Sequence, residues 1–487
     1  MNLSISSMCR ITGIVLMVIS LSMLPSIFVS IIFDGADIYM PFIYTMIITL
    51  AMGIALTKFF IHDSFRLKVR DGFLIVTLCW IISCFVGGIP FIVTGAIPNM
   101  ANAFFESCSG FSTTGSSILA DIEALPKGLM FWRSFTHWIG GLGILVITIA
   151  LIPSLGIGGQ NIAVSETPGP ALDKITPKMS DTAKTLLTIY ILFTVLETVL
   201  LMAGGMDLFD ALIHTFGTVG TGGFSNYNTS IAHFDSTYIR IIITAFMFLC
   251  GVNFNLFYFS VKRGPKVFRE DSEFKLYLGF FSGITIFLFA VLLLSRTYTS
   301  FSEAAVDSAF QTASILTTTG FASADYETWP MVCQIAILLL MFMGGCSSST
   351  SGGIKIVRIY VVLQLIRRGV ATKLHPNVVE NIKLNGKTMP SDTVSAIANH
   401  MFLYIAMVFV GAFIISFENA DLMTCFSSVI TCLGNIGPGF GSIGPVENFG
   451  GLTDLSKYLL SFYMIAGRLE LYTLFILLTP KFWNPDH

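Results

Sequence analysis

Apolar stretches long enough to cross a lipid bilayer recur along most of the chain, and short polar stretches separate them. A helix of about 20 apolar residues spans the hydrocarbon core. By that measure the sequence predicts ten crossings, at about residues 11–33, 40–60, 73–95, 129–152, 185–204, 236–261, 274–295, 330–366, 393–416 and 456–479. The eighth is too long for one uninterrupted helix and is broken in its middle. The first lacks a convincing cleavage site and is too long for a signal-peptide core, so we expect it to be retained.

Four shorter apolar segments lie between successive pairs of the later crossings. They cover Asn102–Ser112, Asp207–Thr218, Glu303–Leu316 and Asp421–Leu433. Segments of this length cannot cross a bilayer, and each has an acid or amide near its start that can cap a helix. The candidate capping residues are Asn102, Asp207 or Asp210, Glu303 or Asp307, and Asp421. We therefore predict four re-entrant helices.

A turn rich in threonine and glycine follows each short segment. The turns are Ser112–Gly115, Val219–Gly222, Thr317–Gly320 and Gly434–Gly437. A unit of helix, re-entrant helix, turn and helix thus occurs four times after two N-terminal helices. The predicted fold is an all-α polytopic membrane protein with four pseudo-repeats around one pore. Its predicted divisions are residues 1–70 for the N-terminal helices, 71–153 for repeat 1, 154–262 for a cytoplasmic linker with repeat 2, 263–367 for repeat 3, and 368–487 for a second linker with repeat 4.

The composition agrees with a membrane protein. Of the 487 residues, 54% are hydrophobic and only 11% are charged, whereas soluble domains carry about 25% charged residues. The mean hydropathy is +0.78. The nine cysteines are scattered, mostly within apolar runs, which predicts free thiols rather than disulfides or metal ligands. Because no basic cluster is interleaved with aromatic residues, we expect no nucleic-acid binding.

The distribution of lysine and arginine predicts the orientation. These residues concentrate in the stretches 58–70, 174–184, 262–269 and 355–387. The loops on the opposite side hold few, chiefly Lys127, Arg296 and Lys457. By the positive-inside rule both termini are cytoplasmic and the short helices enter from outside. Ten crossings also require the two termini on one side.

The four turns have the chemistry of a cation filter. A potassium ion that enters a pore must replace its hydration shell, and backbone carbonyl oxygens of an extended, glycine-containing turn can do this. A short helix whose C-terminus faces the site adds partial negative charge. One such turn alone would be read as an ordinary packing turn. Four in the same context indicate a pore with K+ as the transported ion.

The interruption of the eighth crossing is a candidate gate. Irregular backbone at membrane depth is tolerated only where it lines a cavity or is buried in protein. The segment is therefore either a packed helix kink or a flexible barrier below the filter. Its residues are Gly344, Gly345, Cys346, Ser347, Ser348, Ser349, Thr350, Ser351, Gly352 and Gly353.

Arg468 is the second candidate gating residue. It interrupts the last apolar crossing, where a charge costs from about 2.5 to more than 10 kcal/mol and must face the interior. It either forms a structural ion pair, caps loop carbonyls, or places a positive charge beside the permeation path, and these roles can coexist. Glu470 lies on another face of the same helix and is a poor partner for it.

Several other polar residues within apolar surroundings are weaker candidates for sites. Glu106 and Glu197 are isolated acids that either pair structurally or bind a coupling ion. His137 and His214 lack a second ligand at metal-binding spacing and are expected to be packed or hydrogen-bonded. Gly386-Lys387-Thr388 hints at a phosphate loop but lacks the required first glycine, so we expect no nucleotide site in this chain. No G-x-S-x-G or H-E-x-x-H motif occurs, so a membrane hydrolase has little support. We expect a transport protein rather than an enzyme, with no catalytic residues.

The four turns, together with Gly344–Lys355 and Gly467–Glu470, resemble the TrkH/TrkG branch of the Trk/Ktr/HKT cation transporters. Further similar stretches are Arg70–Phe73, Gly140–Gly143 and Leu155–Gly159. The resemblance covers nearly the whole chain. It implies a potassium-uptake protein of the bacterial inner membrane that works as a homodimer. It also implies a cytosolic ring of TrkA-type regulatory subunits that bind NAD(H), ATP or ADP.

By motif position, the resemblance also implies a set of filter residues. Coordinating oxygens would come from Thr113, Thr114, Gly220, Thr221, Thr318, Thr319, Asn435 and Ile436. The ring would be completed by Gly115, Gly222, Gly320 and Gly437, and glycine in all four turns goes with potassium preference. Gly220 departs from the family, where serine or alanine is frequent. The predicted function is gated potassium flow down its electrochemical gradient. A symporter coupled to H+ or Na+, and a membrane enzyme or scaffold, remain as alternatives.

Overall fold

The computed structural model describes residues 5–59, 69–143, 179–376 and 380–483. Within these ranges, six helices are long and apolar enough to cross a bilayer, or seven if a bent pair is taken as one span. The architecture is helical with four repeats, as predicted. It differs from the prediction in repeats 2 and 4, where the crossing that follows the turn is two helices rather than one continuous helix.

The N-terminal segment contains three helices, α1 (Ile5–Ser22), α2 (Leu24–Phe33) and α3 (Ala36–Phe59). The first two together form the first predicted crossing. A Cβ atom on Gly13 would lie 2.7 Å from the carbonyl oxygen of Gly53. Helices α1 and α3 therefore cross in direct backbone contact, which small residues permit.

Repeat 1 consists of α4 (Val69–Val93), the short helix α5 (Met100–Phe111) and α6 (Lys127–Leu142). The Asp34 carboxylate, just after α2, accepts hydrogen bonds from the N–H groups of Lys127 (3.0 Å) and Gly128 (2.8 Å). These bonds satisfy orphan donors at the start of α6 and fix it to the N-terminal helices. The rest of the crossing predicted at 129–152 lies outside the described residues beyond Gly143.

Repeat 2 comprises α7 (Met179–Ala203), the short helix α8 (Leu208–Val219), and the bent pair α9 (Thr237–Cys250) and α10 (Phe254–Arg263). The pair meets at 86°. The crossing predicted at 236–261 is therefore not one straight helix. A single turn, α11 (Lys266–Glu270), follows it.

Repeat 3 comprises α12 (Ser272–Leu294), the short helix α13 (Phe301–Leu316), α14 (Met331–Leu340) and α15 (Ile356–Leu374). The predicted break of the eighth crossing is confirmed. We name residues 341–355, which separate α14 from α15, the intramembrane loop.

An unpredicted hairpin of β1 (Lys383–Leu384) and β2 (Lys387–Thr388) follows α15. Leu384 packs with Val357 and Val361 of α15. Asn385 and Gly386 both have positive φ, as a two-residue hairpin turn requires. The Gly386–Thr388 segment is therefore part of this hairpin.

Repeat 4 comprises α16 (Ser391–Ile415), the short helix α17 (Leu422–Gly434), α18 (Asp454–Arg468) and α19 (Tyr472–Leu477). A last turn, α20 (Pro480–Trp483), ends the described chain. The crossing predicted at 456–479 breaks after Arg468, where Glu470 and Leu471 adopt φ of +58° and +52°.

The four short helices begin and end within two residues of the predicted bounds. Side chains that accept a backbone N–H bond cap them at Asn99, Asp207, Ser300 and Asp421. Asp207 and Asp421 cap as expected, whereas Asn99 and Ser300 replace Asn102 and Glu303 because those helices begin earlier. Hydrogen bonding from Thr424 lowers the pKa of the Asp421 carboxyl.

Polarity is inverted relative to a soluble protein. Exposed Ile286, Phe402 and Phe413 lie on the outer surfaces of α12 and α16. The turns after the short helices are polar and largely buried, and Thr113 and Thr318, for example, are fully buried. This arrangement suits a lipid-exposed exterior and a polar interior pathway.

Candidate ion pathway and gate

The four turns share one backbone conformation, which establishes their register. Each has a non-glycine residue with φ between +53° and +58°, and these residues are Thr113, Thr221, Thr318 and Asn435. The N–H of the next residue bonds the carbonyl oxygen five positions earlier, at 2.7–2.9 Å, in Thr114, Gly222, Thr319 and Ile436. A glycine with positive φ follows in each turn, namely Gly115, Gly223, Gly320 and Gly437.

The second turn is thus Gly220–Gly223, one residue later than predicted from the sequence. Gly223, which the sequence prediction missed, occupies the place expected for Gly222. Gly220 lies level with Ser112, since each is the residue that ends its short helix. Because Gly220, Gly222 and Gly223 all lie next to or near Thr221, the sequence alone does not show which glycine ends the turn.

The four turns meet in a closed ring. A Cβ atom on each ring glycine would come within 3.0 Å of a carbonyl oxygen in the next repeat. Gly115 faces Gly222, Gly223 faces Thr319, Gly320 faces Ile436, and Gly437 faces Thr114. The last contact returns to repeat 1, so all four turns surround one axis. Any side chain at these glycines would strike neighbouring backbone.

Side-chain bonds also tie repeat 4 to repeat 1. The Ser116 hydroxyl donates to the carbonyl oxygen of Gly437 at 3.0 Å. The Asn435 amide donates to the Thr114 hydroxyl at 3.0 Å and to the carbonyl oxygen of Met464 at 2.9 Å. All four ring glycines line one polar cavity on the side where the chain leaves the turns.

In three repeats, the residue seven positions before the positive-φ residue is polar, and its side chain bonds the segment that follows the turn. Glu106 accepts from the N–H of Ile118 at 2.9 Å. His214 Nε2 lies 3.0 Å from the Ser225 hydroxyl, and Gln311 donates to the carbonyl oxygen of Ala324 at 3.3 Å. In repeat 4, the Ser427 hydroxyl accepts from the N–H of Phe440. The sequence prediction missed this layer as a set.

Glu106 forms a buried ion pair. Its carboxylate lies 2.6 Å from Nε of Arg133, and both side chains are almost fully buried. Arg133 also donates to the carbonyl oxygen of Ser225 at 3.0 Å and lies 3.4 Å from the ring centre of Phe224. The pair therefore links α5, α6 and the segment that follows the second turn. The expected structural pairing of Glu106 is confirmed.

Glu197 on α7 differs from Glu106. It is fully buried, and within the described ranges neither carboxyl oxygen has a hydrogen-bond partner. The nearby Thr218 hydroxyl of α8 donates instead to the carbonyl oxygen of His214 at 2.9 Å. An unpaired acid thus lies beside the second short helix.

The intramembrane loop lies directly against the turns. The N–H of Gly352 donates to the Thr318 hydroxyl at 2.7 Å, and a Cβ atom on Gly352 would come within 3.0 Å of the carbonyl oxygen of Gly434. On the side of repeat 2, the N–H of Cys346 bonds the carbonyl oxygen of Gly251 at 2.7 Å. The loop therefore contacts three repeats through the broken ends of their helices and turns.

Arg468 connects the loop to repeat 1. Its Nη2 donates to the carbonyl oxygens of Gly140 and Gly141, both at 2.6 Å, at the end of α6. Its Nη1 donates to the carbonyl oxygen of Thr350 at 2.7 Å and lies 3.4 Å from the Thr113 hydroxyl. The expected capping of loop carbonyls is confirmed, and the positive charge also lies beside a turn.

Glu470 and the histidines have other partners. Glu470 pairs with Arg358 of α15 rather than with Arg468. His137 Nδ1 lies 2.7 Å from the carbonyl oxygen of Gly110. Among the residues described, no group of three His, Cys, Asp or Glu side chains is placed to hold a metal ion.

Comparison with known proteins covers nearly the whole chain. Residues 38–484 match the TrkH family, described as a cation transport protein. The Trk system potassium uptake protein TrkH of Vibrio parahaemolyticus is 37% identical over 488 residues, covering 98% of this chain and 99% of that protein. The Trk system potassium uptake protein TrkG of Escherichia coli K12 is 32% identical over 483 residues, covering 99% and 98%.

A solved structure has the same fold. The crystal structure of the potassium transporter TrkH from Vibrio parahaemolyticus superposes with a TM-score of 0.88 at 34% identity. The superposition covers 98% of this chain and 99% of that chain.

Proposed function

The chain belongs to the TrkH family of cation transport proteins, and we propose that it is the gated, potassium-conducting subunit of a Trk-type uptake system. The closed ring of turns around one axis is the observation that carries this proposal. Relatives that match over nearly their full length are named potassium uptake proteins. A membrane enzyme or scaffold would not need four equivalent turns to meet at one point.

Potassium would exchange its water for oxygens of the turns. The residues that would supply them are Thr113, Thr114, Thr221, Gly222, Thr318, Thr319, Asn435 and Ile436, with Gly115, Gly223, Gly320 and Gly437 beside them. Our proposal leaves Gly220 out of this set, because Gly220 ends α8 as Ser112 ends α5. The C-termini of four short helices add partial negative charge that stabilises a cation.

Flux would follow the electrochemical gradient. An inside-negative potential of 100 mV supplies about 2.3 kcal/mol per cation. No cofactor is needed for this step. Potassium would be the transported ion, and in this proposal the chain itself binds no nucleotide.

The intramembrane loop and Arg468 would form the gate. Gly352 beneath Thr318 and the Arg468 guanidinium beside Thr113 would obstruct the inner end of the pathway. Two unit charges 4 Å apart repel by about 4 kcal/mol at an effective dielectric of 20, so Arg468 would also oppose an arriving cation. The small residues Gly344–Gly353 would let the loop move at little steric cost.

The family relationship supports a homodimer in a bacterial inner membrane, controlled by a cytosolic TrkA-type ring that binds NAD(H), ATP or ADP. The positive-inside rule supports cytoplasmic termini. The exposed basic residues Lys262, Arg367 and Lys383 would then face the cytosol. A nucleic acid has no place in this proposal.

Cation flux from the purified full-length chain in liposomes tests the function. We expect potassium and rubidium to pass much faster than sodium, and Gly115→Ser to reduce that preference. An unchanged preference in a folded Gly115→Ser variant would assign the turns to packing alone. Lack of potassium flux with and without the cytosolic regulator would refute the proposal.

Potassium symport with H+ or Na+ is a second candidate, because Glu197 is a buried acid that has no hydrogen-bond partner among the described residues and lies beside α8. Such a group can bind a coupling ion. Glu106 no longer supports this candidate, since Arg133 pairs with it. Accumulation of potassium beyond its equilibrium with the membrane potential would favour symport.

A further inference from the structure

A buried carboxylate bonds both the intramembrane loop and the helix that follows it. Glu273, in the first turn of α12, is 4% exposed. It accepts hydrogen bonds from the N–H and the hydroxyl of Ser347, both at 2.6 Å, and from the N–H of Val357 at 3.1 Å. Ser347 belongs to the loop and Val357 to the start of α15. Movement of the loop away from the turns would have to break some of these bonds or shift Glu273.

The start of α12 is itself held by the cytosolic-side hairpin. The Asn385 amide nitrogen donates to the Asp271 carboxylate at 2.9 Å, and its oxygen accepts from the N–H of Ser272 at 2.7 Å. Asp271 caps α12 through the N–H of Phe274 at 2.7 Å. The hairpin tip is thus bonded to the residue next to Glu273.

The hairpin is also fixed to α15. The Gln364 side chain accepts from the N–H of Lys383 at 3.0 Å and donates to its carbonyl oxygen at 2.8 Å. Leu384 packs on Val361. Asn385 at the tip is exposed. The hairpin therefore bridges α12 and α15, the two helices whose residues Glu273 also joins.

We propose that Glu273 is a positioning residue for the gate, and that Asn385 keeps it in place from the membrane surface. This inference rests on the proposed function of the loop as a gate. Displacement of the exposed hairpin tip would release the start of α12, move Glu273 away from Ser347, and free the loop. A contact on the surface is thereby coupled to the loop through the hydrogen bonds of Asn385 to the start of α12 and the hydrogen bonds of the adjacent Glu273 to Ser347.

The test compares rubidium flux through full-length variants in liposomes without any regulator. Glu273→Ala removes all three acceptor bonds at once and should therefore raise flux about tenfold or more. Glu273→Gln can still accept from both N–H groups and donate to the Ser347 hydroxyl, so it should stay near the wild type. The potassium-to-sodium preference should not change in either variant, because the turns are untouched.

Asn385→Gly tests the coupling without disturbing the buried site, because glycine tolerates the positive φ of this turn. It should raise flux less than Glu273→Ala. The double variant should match Glu273→Ala alone, since Asn385 acts through Glu273. Asn381→Gly, at an exposed residue before the hairpin, is the matched control and should leave flux unchanged.

The possible failures are distinguishable. Absence of potassium flux in the wild type under every condition would refute the proposed function. A conducting wild type with unchanged flux in Glu273→Ala and Asn385→Gly would overturn the positioning role alone. If Glu273→Ala does not fold, unchanged flux in Asn385→Gly still refutes the coupling. Additive effects in the double variant would show that Asn385 acts by another route.

Discussion

Arg468 donates a hydrogen bond to the carbonyl oxygen of Thr350, 2.7 Å away, and so joins the end of α18 to the intramembrane loop. The same guanidinium reaches Gly140 and Gly141 of repeat 1. Only a side chain with several donors in one plane can make these bonds together. Arg468 therefore connects the loop both to repeat 4, to which Arg468 belongs, and to repeat 1.

Replacing Arg468 by alanine should open the gate in part. Hydrogen bonds to a charged group contribute about 1.5–3 kcal/mol each, so regulator-independent rubidium flux should rise about tenfold or more. Arg468→Lys separates bonding from charge. Lysine keeps the positive charge but cannot bridge Thr350, Gly140 and Gly141 with the same geometry. A rise in both variants indicates a hydrogen-bonded latch, a rise in alanine alone indicates charge repulsion, and no rise in either contradicts the gate.

Gly223 should be as important for selectivity as the ring glycines of the other repeats. Gly223→Ala would place a methyl group within 3.0 Å of the carbonyl oxygen of Thr319. We expect a strong loss of potassium flux or of its preference over sodium. The variant also strains the backbone, because Gly223 has φ of +77°.

Gly95 supplies a control for that strain. It has φ of +76°, and a Cβ atom added to it would have no neighbouring atom within 4 Å among the described residues. Gly95→Ala should cost about 1–2 kcal/mol of stability through the left-handed backbone alone and leave ion preference intact. If both variants keep the wild-type preference, Gly223 is not part of the ring that discriminates cations.

Removing one partner of the buried ion pair between Glu106 and Arg133 should destabilise the fold strongly. Arg133→Ala would leave the Glu106 carboxylate buried without its cation, which costs about 3–5 kcal/mol. The midpoint of thermal unfolding in detergent should therefore fall markedly. Arg296→Ala, at an exposed arginine, should change stability by about 0.5 kcal/mol or less.

A double variant tests whether pairing is the cause. Glu106→Gln with Arg133→Met removes both charges and should recover part of the lost stability. If the double variant is no more stable than Arg133→Ala, an uncompensated buried charge is not the cause of the destabilisation.

Local sequence patterns predicted the short helices and the family. The bounds of Leu208–Val219 and Leu422–Gly434 were each predicted within one residue, because apolar periodicity and a capping acid coincide there. The resemblance to the TrkH/TrkG branch is confirmed by the relatives and by the solved structure. The break in the eighth crossing was visible because ten consecutive small or polar residues replace apolar ones.

Contacts between distant residues account for what was missed. The bend after Cys250 lies in an apolar run, so the hydropathy of the sequence gives no sign of it. The bend is held by a hydrogen bond from Cys346 of the loop. Arg468 binds Gly140, 328 positions earlier, so its partners could not be read from neighbours. The hairpin did have a local signal in Asn385-Gly386, a dipeptide typical of tight turns. The polar position seven residues before Thr221 would have corrected the register of the second turn.

Substitution of Glu197 tests whether potassium transport is passive or is coupled to H+ or Na+. In passive flow, a potential of 100 mV supplies about 2.3 kcal/mol per ion, so accumulated potassium should stop at an inside-to-outside ratio of about 50. We expect wild-type vesicles and Glu197→Gln vesicles to reach the same ratio, with or without a proton or sodium gradient. Glutamine keeps the shape of this buried side chain while removing its ability to bind a cation or release a proton.

Glu303→Gln is the matched control, because Glu303 is an exposed acid on the next short helix. A wild-type ratio above the limit set by the potential, lost in Glu197→Gln and kept in Glu303→Gln, would contradict passive flow and identify Glu197 as the coupling site. A ratio above the limit that survives Glu197→Gln would also require coupling, but at another residue. The outcome at Glu197 therefore tests the driving force separately from the filter, because no substitution in this comparison touches the four turns.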